Sequence, residues 1–419
     1  MSGFARYDSY KDSGVEWLGE IPDHWSIHRM KFVGRIKTGE MDTIDKQDKG
    51  SYPFFVRSQI VERINTYSYD EEAVLTAGDG VGVGKVFHYI NGKFEYHQRV
   101  YKISHFREVH GKFLYYYMQA NLANEVLKLS AKSTVDSLRL PMLQNFPIVK
   151  GSIAEQTRIV TFLDQKTAEI DEAIAKKQRL IDLLQEQKAI LINQAVTKGL
   201  NPDAPMRDSG VEWIGEIPAH WAVKRLKHIA TIEYGIAIEL TDSLKGIPIL
   251  SLPNVSILGE LNTNNLAYIE LNKSEYNRYL LRKGDLLFNW RNGSPKHVGK
   301  TAIFNLEDEY THVSFLLRIR MKSTDVVPRY VQYYLNSLRA VGFFSTAKIQ
   351  INSTFNKSEL SDFPLVVPPQ LEQREILEHA RIRVTEINSV MDNAIQEIQL
   401  LKEMKNVAIA NAVTGKIKI

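Results

Sequence analysis

Two glycine-rich stretches end in lysine, GDGVGVGK at 78–85 and the run that closes with Gly299-Lys300-Thr301, and glycine-rich loops of this kind can cradle phosphates. A nucleotide-binding loop needs four residues between its first glycine and the Gly-Lys pair, with Ser or Thr after the lysine. In the first stretch Asp79 stands at that glycine position and Val86 follows the lysine; in the second, five residues separate Gly293 from Gly299. Neither fits nucleotide hydrolysis, and both read as turns between strands whose backbone can lie against a polyanion. His24 and His28 have a metal-ligand spacing, but the matching places downstream hold His220 and Lys224. There is no HExxH, and Asn201-Pro202-Asp203 lacks the second proline and the aromatic residue that hold a flipped base. Asp164-Gln165-Lys166 resembles a nuclease element but sits in a helical run. With no cysteine in 419 residues, thiolate metal sites, disulfides and a cysteine nucleophile are excluded. No catalytic site and no metal site is expected.

The net charge, 53 basic minus 49 acidic residues, is only +4. Its distribution says more. Residues 73–150 hold ten Lys and Arg against five Asp and Glu, and residues 278–357 hold thirteen against five. Hydrogen-bonding side chains interleave with the basic ones there. Arg reads guanine and Asn or Gln reads adenine through paired bonds, whereas Lys, Ser and Thr commonly hold phosphate. The candidate DNA contacts are therefore Lys85, His97, Gln98, Arg99, Lys132, Ser133 and Thr134 in the first zone. In the second they are Asn289, Arg291, Asn292, Lys296, Lys300, Lys348, Gln350, Asn352 and Thr354.

The elements that must position these residues are written twice. KDSGVEWLGEIPDHWSIHRMKFV at 11–33 and RDSGVEWIGEIPAHWAVKRLKHI at 207–229 match at 14 of 23 positions. The repeat continues more faintly, Phe146-Pro147 answering Phe363-Pro364 and Ala195-Val196-Thr197 answering Ala412-Val413-Thr414. The offset grows from 196 to 217, so the second copy carries about 21 extra residues in its diverged middle. Ser13 to Glu16 and Ser209 to Glu212 have capping-box spacing and predict a short helix that Pro22 and Pro218 stop. Trp17, Trp25, Trp213 and Trp221 read as a packing clamp. Alternating β-branched and aromatic residues between Gly and Asn clusters predict strands, followed by a helix in GKFLYYYMQANLA and in PRYVQYYLNSLRA.

Each copy ends in a long helical run without glycine. Ile170, Ile174, Ile181, Leu184 and Leu191 in the first, and Ile387, Met391, Ile398 and Leu401 in the second, fall at spacings of three, four and seven and form matching seams. The expected fold class is α+β: two mixed α/β domains in pseudo-twofold tandem repeat, separated by two long helices whose seams can pair with each other. Its parts are a recognition domain at 1–151 with opening segment 11–25, a helix at 152–200, a second recognition domain at 201–368 with opening segment 207–221, and a helix at 369–419. No apolar run has membrane-spanning length, and a cytoplasmic protein is expected.

SGVEWLGEIPDHW at 13–25, repeated as SGVEWIGEIPAHW at 209–221, resembles the repeat-opening segment of the DNA specificity subunits of type I restriction-modification systems. FPIVKGSIAEQTRIVTFLD at 146–164 and FPLVVPPQLEQREILEHA at 363–380 are similar to the junctions between that family's recognition domains and helices. Lys150-Gly151-Ser152 departs from Val367-Pro368-Pro369 of the second copy. The resemblance implies that each recognition domain reads one half of a bipartite double-stranded DNA target, and that the two long helices form an antiparallel coiled coil, which sets the spacer. It implies that the helices dock two methyltransferase subunits and, through them, restriction subunits. S-adenosylmethionine, ATP and Mg would belong to those partners, with no cofactor and no catalytic residue in this chain. Two other readings stand beside it: a non-catalytic coiled-coil scaffold, which leaves the basic zones without a role, and a standalone DNA-modifying enzyme, which needs a site the sequence lacks.

Overall fold

A computed structural model describes residues 5–130, 137–237, 245–292, 294–345 and 354–419. They form two compact units, one of residues 1–178 with 395–419 and the other of residues 179–394. Each unit therefore joins one recognition domain to a part of both long helices.

In the first unit, β1 (Tyr10–Asp12) and β2 (Glu20–Pro22) form an antiparallel hairpin. The short capped helix expected after Ser13 does not form. The Ser13 hydroxyl takes the amide of Val15, two residues on, at 3.1 Å, and the Asp12 carboxylate takes that of Gly14 at 2.9 Å. Gly14 and Gly19, both at positive φ, complete the turn. The second unit repeats the hairpin, with Ser209 on Val211 at 3.1 Å.

After β3 (Ser26–Arg29) and the one-turn helix α1 (Met30–Val33) comes a six-stranded sheet. Its strands are β4 (Arg35–Thr38), β5 (Tyr52–Phe55), β6 (Glu62–Ile64), β7 (Tyr69–Ala77), β8 (Phe87–Tyr96) and β9 (Val100–Ser104), in the order β4-β9-β7-β8-β5-β6. All neighbours are antiparallel except β5 and β8. The sheet curls until Met41, beyond β4, bridges His97, beyond β8. That approach requires Gly39, whose Cβ would lie 2.2 Å from the carbonyl oxygen of Tyr96. Helix α2 (Gly111–Ser130) lays Phe113, Tyr117 and Leu114 into a core with Val74, Phe87 and Ile103. Helix α3 (Leu140–Asn145) and β10 (Pro147–Lys150), paired with β3, lead into the long helix α4 (Ile153–Lys198).

The second unit follows the same plan. β11 (Met206–Asp208) and β12 (Glu216–Pro218) form the hairpin, and β13 (Ala222–Arg225) and α5 (Leu226–Ile229) lead to β14 (Ala230–Tyr234). β15 (Ile247–Leu250), β16 (Ala267–Ile269), α6 (Lys273–Tyr279), β17 (Leu286–Asn289), β18 (Thr301–Ile303), β19 (Thr311–His312) and β20 (Leu316–Met321) complete the strands. They pair as β14-β20-β17-β18 and β16-β15-β19. This is the order of the first unit with β8 replaced by two short strands, β18 and β19, on either side of residues 304–310. The closure recurs as well: Ile236 bridges Val313, and a Cβ on Gly235 would lie 2.2 Å from the His312 oxygen. Helices α7 (Pro328–Ala340) and α8 (Lys357–Ser361) and β21 (Pro364–Val367), paired with β13, precede α9 (Gln370–Val413).

Within each unit the parts of α4 and α9 run antiparallel. In the first, Lys405 donates to Asp171 at 2.6 and 2.8 Å, and Lys177 pairs with Glu397; in the second, Lys188 donates to Asn388 at 2.9 Å. As the residue number rises along one helix it falls along the other. The seam residues Ile170, Ile181, Ile387 and Ile398 are buried, and Ile174, Leu184, Leu191, Met391 and Leu401 are half-buried.

Each opening hairpin ties the start of one long helix to the end of the other. In the first unit Trp25, 1% exposed, donates to Glu155 near the start of α4 at 3.4 Å, and His24 Nε2 lies 2.8 Å from that carboxylate. Lys416, beyond α9, donates to the carbonyl oxygens of Leu18 and Glu20 at 3.1 and 2.5 Å. In the second unit Trp221 and His220 meet Glu372 at 3.0 and 2.8 Å, and Lys198 holds the carbonyls of Ile214 and Glu216. Trp25 and Trp221 are thus packing residues, Trp17 and Trp213 stack on Phe146 and Phe363, and His24 is a hydrogen-bond partner of Glu155. His28 has its Nε2 3.0 Å from the Ser26 hydroxyl.

Burial opposes ionisation of Glu155, but His24, the Ser152 amide and hydroxyl, and Trp25 together hold its carboxyl at about 2. A depressed carboxylate stabilises the fold fully above its ordinary value near 4.5 and loses that contribution as the pH falls toward about 2. Glu155→Gln is expected to cost about 1–3 kcal/mol at neutral pH. It should also flatten the stability loss between those two pH values, read as hydrogen-exchange protection of residues 5–130 at pH 7 and pH 3.

Candidate nucleic-acid interface

In each unit, loops at the strand ends converge where the sheet closes. In the first they are 56–61 after β5, 78–86 between β7 and β8, and 97–99 between β8 and β9. Asp79 binds them together, accepting from Arg57 at 2.9 Å and from Arg99 at 2.6 Å. Burial works against the Asp79 charge, yet the two guanidinium groups hold its carboxyl below the usual range. Gln59 donates to the Lys85 carbonyl at 2.7 Å, and His88 Nε2 lies 2.8 Å from the Ser58 oxygen.

The second unit assembles the same loops from different residues. Val313 donates to Leu250 at 3.0 Å, as His97 donates to Phe55 at 2.9 Å, and Ser314 donates to Ile236 at 2.8 Å, as Gln98 donates to Met41 at 2.8 Å. The bridge between Asp79 and Ser137 is answered by one between Arg291 and Thr354. The loop position that carries an anchored carboxylate in the first unit therefore carries an exposed guanidinium in the second. Lys300 Nζ lies 3.5 Å from the Val255 oxygen, and Arg339 at the end of α7 donates to Ile257 at 2.9 Å. Burial pushes the Lys300 amine and the His297 imidazole down, and the charges acting on both are cations: Arg339 on Lys300, and Lys300, Arg339 and Lys296 on His297.

The residues expected to meet DNA fall into three groups. Lys85, Arg291 and Lys296 are exposed at this face. Gln98 and Arg99 are exposed but engaged, Gln98 with Asp42 at 2.6 Å and Arg99 with Asp79. Asn292, Lys300 and Thr354 are half-buried, with Asn292 Oδ1 taking the Ser294 amide at 3.2 Å.

His97 and Asn289, expected as DNA contacts, are buried in this fold. His97 is 2% exposed, its Nδ1 accepts the Arg99 amide at 3.0 Å, and burial pushes its imidazole down. Asn289 is fully buried at the end of β17, where its backbone joins Lys300 and Gly299. Lys132, Ser133, Thr134, Lys348, Gln350 and Asn352 lie outside the described residues. Sequence reasoning missed Arg57, Asp79 and Arg339. Arg57 lies outside the basic zone, and Arg339 sits at the end of a helix that reads as a packing element.

Both glycine-rich stretches are turns between strands, as expected. A Cβ on Gly299, at positive φ, would lie 2.3 Å from the Phe344 ring, so the glycine serves packing. Asp164 is bound to Lys112 and Tyr116, each at 2.7 Å, and anchors α2 to α4. Among the described residues no group of three or more His, Asp or Glu is arranged to hold a metal ion, and no helix is long and apolar enough to cross a membrane.

The chain is similar to the specificity subunit of the type I restriction enzyme EcoDI from Escherichia coli, with 24% identity over 51% of this chain and 50% of that one. It is similar to the putative MjaX specificity subunit of Methanocaldococcus jannaschii, with 29% identity over 46% and 45%. The chain thus spans about half the length of these two curated relatives. The MjaVIII specificity subunit of the same archaeon matches at 22% identity over 95% and 94%. The fold is shared with the solved HsdS subunit of Thermoanaerobacter tengcongensis, at TM-score 0.52 and 15% identity over 95% and 98%. It is also shared with a chain from a study of complex assembly and conformational transition of the type I R-M system, at TM-score 0.68 and 16% identity over 95% and 99%. The model of the type I restriction modification DNA specificity domain matches residues 22–181 and again 218–398, so this chain belongs to that family and carries its domain twice.

Proposed function

We propose that this chain is the sequence-specific DNA-binding subunit of a type I restriction-modification complex, each recognition domain reading one half of a bipartite target. The observation that carries the reading is the repeated loop face, one frame filled with different charged and hydrogen-bonding residues in its two copies. Reading two unlike half-sites asks for that combination, because phosphate contacts position a protein while base contacts specify sequence. The antiparallel helices set the unread spacer and dock two methyltransferase subunits, through which restriction subunits assemble. S-adenosylmethionine, ATP and Mg act in those partners, and this chain is non-catalytic.

Co-expression with its genomic neighbours, followed by single-molecule mapping of methylated adenines, tests the reading. A two-part motif with a fixed gap is expected, one half changing when residues 35–140 are exchanged for those of another family member. No motif from an intact complex would overturn it.

Arg291→Ala is expected to weaken target binding by about 1–3 kcal/mol and to relax one position of the second half. Lys85→Ala should weaken all sequences alike and lower the salt slope by about one unit. Equal loss on all sequences for Arg291→Ala would make it a phosphate contact, and an unchanged slope for Lys85→Ala would remove that role.

A further inference from the structure

Among the described residues, only two places expose consecutive large aliphatic side chains. They are Ile60 and Val61, at 72% and 39% exposure, and Ile257 and Leu258, at 51% and 68%. One pair lies in each unit, and both lie in the same loop of the fold. Loop 56–61 joins β5 to β6, and loop 251–266 joins β15 to β16; each first strand pairs antiparallel with its successor and parallel with the strand that ends at the closure. The second loop is ten residues longer, yet it too presents two adjacent aliphatics. No common sequence surrounds them, so a shared requirement rather than shared wording accounts for the recurrence.

Cations stand in or beside both loops, with Glu62 following the first tip and Glu260 the second in sequence. The first stands beside Arg57 in its own loop, and that loop is fastened through Gln59 to the Lys85 carbonyl. The second is fastened by Arg339 at the Ile257 oxygen and faces Lys300 through the Val255 oxygen. Gln332 further pins the loop by donating to the Gly259 oxygen at 2.5 Å. Adjacent exposed aliphatics lose the hydrophobic stabilisation that burial would give them, so holding them in water on a fixed loop disfavours the free chain. A protein partner would meet them with an apolar surface depleted of charge. Apolar groups with Lys and Arg in or against their loops instead match duplex DNA, whose phosphates flank base edges that carry apolar groups of their own, the thymine methyl among them.

We infer that Ile60–Val61 and Ile257–Leu258 are apolar base-reading tips, each packing on base edges of its own half-target between phosphates held by the neighbouring cations. This rests on the proposal that each recognition domain reads half of a bipartite duplex. It adds a contact that discriminates bases without charge.

The test uses the complete complex with its methyltransferase subunits and duplexes carrying the mapped target, the target with either half scrambled, or unrelated sequence. The double variants Ile60→Ser with Val61→Ser, and Ile257→Ser with Leu258→Ser, alter exposed side chains and should leave thermal unfolding unchanged. Each is expected to bind the target roughly ten- to a hundredfold more weakly, with sequence preference relaxed in its own half only. Affinity for unrelated DNA and the salt slope should stay at wild-type values, because no phosphate contact is lost.

Unchanged target affinity in both variants would overturn the inference. So would an equal fall on target and unrelated duplex, or loss of a partner subunit with DNA affinity intact. A wild-type complex that prefers no bipartite duplex would instead overturn the underlying reading, and the two failures are separated by that control.

Discussion

Asp285→Ala is expected to destabilise the second unit by about 3 kcal/mol while sparing the first. Asp285 is 1% exposed at the start of β17, where it accepts from Arg320 Nε and Nη2 at 2.7 and 2.6 Å and from the Arg282 amide at 2.8 Å. Next to Arg320 on the same strand lies Arg318, 4% exposed, paired with Glu233 and donating to the Arg278 oxygen at 2.8 Å. Burial, with these two cations nearby, pushes His312 down to about 3, so the imidazole is neutral and offers them no charge. Removing the carboxylate leaves Arg320 without an anion, and breaking a buried pair in this way costs about 3–5 kcal/mol. The Arg320 side chain is 23% exposed and can reach water in part, which places the effect at the low end.

Hydrogen exchange separates the units. Protection of slowly exchanging amides should fall by roughly two orders of magnitude in 245–292 and 294–345. Amides of 5–130 should be unaffected. Asp285→Asn, which retains an acceptor, should lose less. A loss under about 1 kcal/mol would mean that Arg320 turns fully to solvent and that the pair is dispensable for the fold.

What the sequence revealed and what it concealed follow from how far each signal reaches along the chain. The two copies and their long helices are periodic over tens of residues, so spacing exposes them. The burial of Ile170, Ile181, Ile387 and Ile398 follows from one seam facing another, whereas the antiparallel direction is carried by the family resemblance rather than by spacing. Local hydrogen bonding was harder to read. Ser13 and Glu16 have capping-box spacing, but a glycine between them lets the serine hydroxyl take the nearer amide, and a hairpin turn forms instead. Residue type also misled where a polar side chain serves the closure of the sheet. His97 holds a turn through the Arg99 amide, and Asn289 ends a strand whose four residues are all buried. Asp79 was legible only as the residue that breaks a nucleotide-binding loop, because its role as the anchor of Arg57 and Arg99 depends on loops brought together by folding. The exposed aliphatics were equally invisible, since composition cannot tell a core isoleucine from one held in water.

Paired substitutions on the long helices should remove partner subunits one at a time. Leu183 and Ile190 on α4 are 44% and 43% exposed, and Leu400 and Val407 on α9, at the equivalent places, are 60% and 48% exposed. In each pair the residues are seven apart, two turns of helix, so they share a face directed away from the seam. The first pair belongs to the second unit and the second pair to the first. An apolar face recurring once per unit gives the proposed docking of two methyltransferase subunits on the helices a specific surface to test. Burying such a side chain contributes about 1.5–3 kcal/mol, and an aspartate forced against an apolar partner adds a desolvation cost. Leu183→Asp with Ile190→Asp is therefore expected to weaken one methyltransferase contact by at least a hundredfold, roughly 3 kcal/mol or more. Leu400→Asp with Val407→Asp should do the same to the other. Native mass spectrometry should show one methyltransferase copy lost in either double variant and both lost in the quadruple variant, with exchange protection of the recognition sheets unchanged. If either double variant sheds both copies, the subunits dock on each other as well as on this chain. If neither variant changes the stoichiometry, the helices present these residues to something else, and the partners must bind the recognition domains.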